Sequence, residues 1–86
     1  MPYIKAMFRD ALDSGEDTPH NAGELNYVIT RVIADYLFEH GLSYQRLNDV
    51  IGVLECSKQE LYRRIAGPYE DTKVAENGDV YPAEMR

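Results

Sequence analysis

Five side chains in this sequence are suited to holding an anion: Arg31, Arg63, Arg64, Tyr69 and Tyr81. Arginine's planar fork matches a phosphate or a carboxylate, and a tyrosine face can stack on a base. Arg63 and Arg64 are neighbours, roughly 100° apart on a helix, so they cannot both face a core. Asn26 and Tyr27 turn away from the apolar stripe of their own helix and are free to meet a partner, a ligand or the first helix. Together these residues predict non-covalent capture of an anionic, nucleotide-like small molecule. The competing reading pairs each arginine with the chain's own Asp and Glu, which number 15 against 9 Lys and Arg.

Other groups are less suggestive. Glu70, Asp71, Glu76 and Asp79 collect oxygen ligands near the C-terminal end, but their spacing is not that of the twelve-residue calcium loop. A solvated turn beside Lys73 is the ordinary reading of them. No metal and no cofactor is expected. His20 and His40 lie far apart, and neither joins Cys56 or a serine in a recognisable nucleophilic motif. The sequence therefore reads as a non-enzymatic binding protein.

These groups must be positioned by a small scaffold. At 86 residues the chain is expected to form a single domain, one that buries roughly 60 % of its unfolded surface. Such a domain often completes its core by association, so a homo-oligomer is expected. With 44 % hydrophobic and 28 % charged residues the composition is globular. The net charge of −6 argues against binding bulk nucleic acid. One cysteine, Cys56, excludes an intramolecular disulfide and fits a reducing cytoplasm. No membrane association is expected, since no apolar run approaches the roughly 18 residues a span needs.

The expected fold is mainly α, with three helices at about 4–14, 22–40 and 43–66 and a C-terminal β-hairpin at about 72–81. Ile4, Met7, Phe8, Ala11 and Leu12 give the first helix its apolar face, ending near Ser14-Gly15. Thr18-Pro19 and the Asn21/Glu24 capping box compete to start the second. Leu25, Val28, Ile29, Val32, Ile33, Tyr36 and Leu37 form its stripe, with Leu25 a core residue, and Gly41 stops it. Ser43 caps the third, where Leu47, Val50, Ile51, Leu54, Leu61, Tyr62 and Ile65 keep one face and Lys58 takes the one non-apolar stripe position. Phase continuity favours a single helix over a break at Ser57/Glu60. Gly52 within it suggests a close helix contact, and Cys56 a small residue on or near a packed face.

Gly67-Pro68 predicts the end of that helix. Asn77-Gly78, flanked by Val74 and Tyr81, then predicts a hairpin with a type I′ turn. This register sets Glu76 opposite Asp79, a like-charge pair that should weaken the strands unless a cation sits between them. Two strands alone are marginal, so the hairpin would have to pack on helices or on another chain.

Met1-Pro2-Tyr3-Ile4, Gly23-Glu24-Leu25-Asn26-Tyr27, Leu54-Glu55-Cys56, Leu61-Tyr62-Arg63-Arg64, Pro68-Tyr69-Glu70 and Glu76-Asn77-Gly78-Asp79-Val80-Tyr81 together resemble a family of short uncharacterised phage and bacterial proteins. The resemblance spans nearly the whole chain. It carries no activity and no site residues. It implies a phage or prophage setting, hence a host-cell cytoplasm, and an accessory protein that counters host defences by sequestering a nucleotide-like ligand. The alternative is a protein-interaction module that binds or inhibits a host protein through its acidic face or hairpin.

Overall fold

A computed structural model describes residues 2–86, and its contacts fall into two units, Met1–Leu47 and Asn48–Arg86.

The first unit begins with α1, Ala6–Asp13, whose apolar positions recur at helical spacing. Ser14 closes it by donating its hydroxyl to the Ala11 carbonyl at 3.1 Å, and Gly15 turns the chain at φ 79°. Next comes α2, Ala22–His40. Its start is decided by the Asn21/Glu24 box: the Glu24 N–H donates to Asn21 Oδ1 at 2.9 Å. The Glu24 carboxylate reaches back in turn, accepting from the Asn21 side-chain amide at 3.1 Å and the His20 N–H at 3.3 Å. Gly41, at φ 92°, ends α2 with its N–H on the Leu37 carbonyl at 2.8 Å. Ser43 Oγ then accepts from the Arg46 N–H at 3.1 Å and opens α3, Tyr44–Leu61, while the Arg46 guanidinium returns to the Gly41 carbonyl at 3.2 Å. Within this unit α1 packs against α2.

In the second unit α3 continues unbroken past Ser57 and Glu60 to Leu61. It does not end at Gly67-Pro68. A π turn, Tyr62–Ala66, carries the chain directly into α4, Gly67–Asn77. Pro68 explains the widening. Its nitrogen has no proton to give, and its ring would strike the carbonyl four residues back, so the helix opens by one residue to pass it. The Gly67 N–H accordingly reaches the Tyr62 carbonyl, five residues back.

The β-hairpin at 72–81 is absent: no strand occurs among the described residues, and the fold is mainly helical. Asn77-Gly78 is a helix end. Gly78 sits at φ 89° with its N–H on the Val74 carbonyl at 2.8 Å. Positive φ at a Gly after Asn suits a helix C′ position as well as a hairpin turn. The helix prevails because Pro68 and Glu70 favour its first turn and Lys73 reaches Glu76 at 3.3 Å. The Glu76–Asp79 confrontation disappears with the strands. Asp79 instead accepts from the Tyr81 N–H at 2.8 Å and pairs with Arg86 at 3.5 Å. A short 3₁₀ turn, Ala83–Met85, closes the chain.

Burial is sparse. Among the described residues Tyr27, 9 % exposed, is the one buried apolar side chain, and Glu24 the one buried polar group. Leu25 is exposed rather than core, because α2 turns the Tyr27 side toward the N-terminal cap and α1. Cys56 is exposed too, and Gly52 faces open space rather than a close neighbour. The stripes of α2 and α3 leave Leu25, Ile29, Val32, Tyr36, Leu47, Ile51, Leu54 and Leu61 open to solvent.

Candidate functional site

Tyr27 and Arg31 lie one helical turn apart on α2 and converge on Asp13, the last residue of α1. The Tyr27 hydroxyl shares its proton between the two Asp13 oxygens at 2.9 and 2.8 Å. Loss of water around the ring, then the bond to Asp13, holds the phenol above its ordinary pKa. Arg31 lies 3.7 Å from Asp13 and 3.2 Å from Asp35, a turn further along α2. An acid at a helix C-terminus opposes the helix dipole, and Arg31 offsets that.

An open groove of about 210 Å³ runs beside this cluster, lined by Leu12, Asp13, Val28, Arg31, Val32 and Asp35. Its floor is apolar and its charges are one guanidinium against two carboxylates, which gives an anion no advantage there. Asn26 lies on the exposed side of α2, accepting from the Thr30 hydroxyl at 3.4 Å.

Arg63, Arg64, Tyr69 and Tyr81 belong to the second unit. Glu60 takes both arginines, Arg63 at 2.7 Å and Arg64 at 3.5 Å. A hollow of about 380 Å³ beside them is lined by Cys56, Gln59, Glu60 and Arg63. The Tyr69 ring lies under the Lys73 ammonium, 5.5 Å from its centroid. Tyr62 donates to Glu70 at 3.0 Å across the π turn, and that bond raises its pKa. Tyr81 is held by its backbone, with Arg86 Nε donating to its carbonyl at 3.0 Å. Arg31, Arg63 and Arg64 thus have carboxylate partners, as the competing reading of the sequence has it. Among the described residues no bond joins Tyr69 or Tyr81 to Arg63 or Arg64.

Asp13 and Glu70 are the positioning residues that sequence reasoning missed as partners. Asp13 lies 14 positions before Tyr27, a separation that no local pattern reports. Among the described residues no three His, Cys, Asp or Glu side chains gather into a metal-holding group.

A family model described as a domain of unknown function, DUF6899, matches residues 1–80. The chain belongs to this family. No curated protein and no solved structure shows significant similarity to it. Family membership names no chemistry. The surface it leaves to explain is apolar. Phe38 is 93 % exposed, and Val32, Ile51, Leu61 and Ile65 are each well over half exposed.

Proposed function

We propose that this chain is a protein-interaction module that works through the apolar faces of its helices, without catalysis. One observation carries the reading: nearly every large apolar side chain of α2 and α3 is exposed or only half-buried. Fixing each residue's backbone costs about 1–2 kcal/mol, while a fully buried aliphatic side chain returns about 1.5–3 kcal/mol. A chain that buries so little cannot offset that entropy alone, so its helices are held by contact with protein. An apolar stripe left exposed along a helix marks an interaction site.

Physical chemistry narrows the partner class. No helix among the described residues is long and apolar enough to cross a membrane, and a chain of net charge −6 is repelled by anionic lipid surfaces and by nucleic acid alike. In the phage or prophage setting that the resemblance implies, such a module acts by covering a surface of another protein or by assembling with itself. Nucleotide capture draws less support, because Arg31, Arg63 and Arg64 are each already engaged by a carboxylate.

Site-specific photo-crosslinking in the producing cell tests the reading. A benzophenone side chain replacing Val32 or Ile51 should capture protein, while one replacing Glu84 should not. Equal capture at all three positions, or none at Val32 and Ile51, contradicts it.

A further inference from the structure

The exposed face of α3 has a finer order than an apolar stripe. Leu47, Ile51, Leu54, Lys58 and Leu61 follow at alternating steps of four and three residues, and Ile65 in the π turn continues the step. This is a heptad seam with Leu at each d position and Ile at a, and with Lys58 at the remaining a. Val50 and Tyr62 flank the seam at a g and an e position. All five apolar members are exposed, and so is the Lys58 side chain, which reaches Glu55 at 3.3 Å.

We infer that this seam pairs with the same seam of a second copy of the chain, as an antiparallel two-stranded contact. The inference rests on the interaction-module reading and names its partner. Three observations support it. The first is stoichiometry: a chain that cannot hold its helices alone needs its partner whenever it folds, and only another copy is always present in equal amount.

The second is area. The chain exposes 7353 Å². Even treated as two separate globules, its two units would expose only about 6,200 Å² by surface–mass scaling. The excess, on the order of 1,100 Å², exceeds the roughly 800 Å² each partner buries in a standard interface.

The third is Lys58. Its ammonium escapes to water along its stem from a two-stranded seam, whereas the a positions of larger bundles are more enclosed. Antiparallel pairing sets Leu47 against the partner's Ile65, Ile51 against the partner's Leu61 and Leu54 against the partner's Lys58. Every seam residue is used once, and the contact is two-fold symmetric. A parallel pair would instead stack the two Lys58 charges in one layer.

Sedimentation equilibrium on the full chain tests this. The unsubstituted protein should be a dimer that dissociates on dilution. Leu54→Asp should weaken dimerisation at least a hundredfold, and Gln59→Ala, off the seam, should not. Leu54→Asp could act by unfolding the chain, so Lys58→Leu supplies the converse and should tighten or enlarge the assembly. A folded monomer at every concentration overturns the inference, as does a Lys58→Leu variant with unchanged assembly. Orientation is read by spin labels at Asn48→Cys in a Cys56→Ser chain. Antiparallel pairing offsets them by about 24 Å along the axis at 1.5 Å per residue, and a short distance, with labels side by side, overturns that orientation. A monomer in solution whose Ile51 site still crosslinks to a different protein would sink this inference and leave the interaction-module reading standing.

Discussion

Tyr27 donates its hydroxyl proton to Asp13, and this bond joins the last residue of α1 to the one apolar side chain that is buried among the described residues. Two short helices with little shared core depend heavily on such a contact. Tyr27→Phe keeps the ring and leaves Asp13 without its phenol donor. It should lower the melting temperature clearly more than Asn26→Ala, which removes only an exposed contact with Thr30, as thermal denaturation by circular dichroism would show.

Asn21 caps α2 through the Glu24 N–H. Asn21→Ala should destabilise the protein by about 1 kcal/mol, with a smaller loss for Glu24→Gln, which keeps an acceptor for the His20 N–H. Urea titration checks both. Equal stability of all three proteins would mean that α2 begins elsewhere, for which Thr18-Pro19 is the alternative start.

His20 Nε2 lies 2.7 Å from Asp17 Oδ1. That bond raises the His20 pKa above 6.5 and, with the Thr18 N–H, lowers that of Asp17 below 3.8. Glu24 adds to the upward shift of His20. For His20 the stabilisation is fully present below pH 6.5 and is lost as pH rises through its raised value. For Asp17 it is present above pH 3.8 and is lost as pH falls through its lowered value. The pair should therefore stabilise the connector most between these limits. NMR titration should place the His20 midpoint above 6.5 and return it toward that value in Asp17→Asn.

Pro68 is the physical cause of the π turn. Pro68→Ala restores the missing N–H and should let α3 and α4 join as one regular α-helix. Amide exchange should then slow through residues 62–68, with a gain in stability. A π turn that persists in Pro68→Ala would assign it to Gly67, where a Cβ would come within 3.2 Å of the Tyr62 carbonyl.

The helices were largely legible because their signals are local. Ser14-Gly15, Asn21/Glu24, Gly41 and Ser43 act within one turn of the chain, and each does in the structure what its type predicts. Pro68 and Asn77-Gly78 misled for the same reason: each has two local meanings. Proline ends a helix or widens it, and Asn-Gly turns a hairpin or closes a helix. The choice lay in the intervening residues, where Glu70 and the Lys73–Glu76 pair favour helix. Tyr27 was legible as free to meet a partner, a ligand or the first helix; the choice of the first helix lay with Asp13, which only the fold brings near. The arginine pairings were legible as one of two readings, since an acidic chain supplies partners within a turn of Arg63 and Arg64.

The central claim is that contact with another protein chain holds these helices together. Far-UV circular dichroism recorded alongside sedimentation, from high to sub-micromolar concentration, tests it most directly. Helicity and assembly mass should fall together on dilution. A monomer that keeps its full helicity at the lowest concentration would contradict the account.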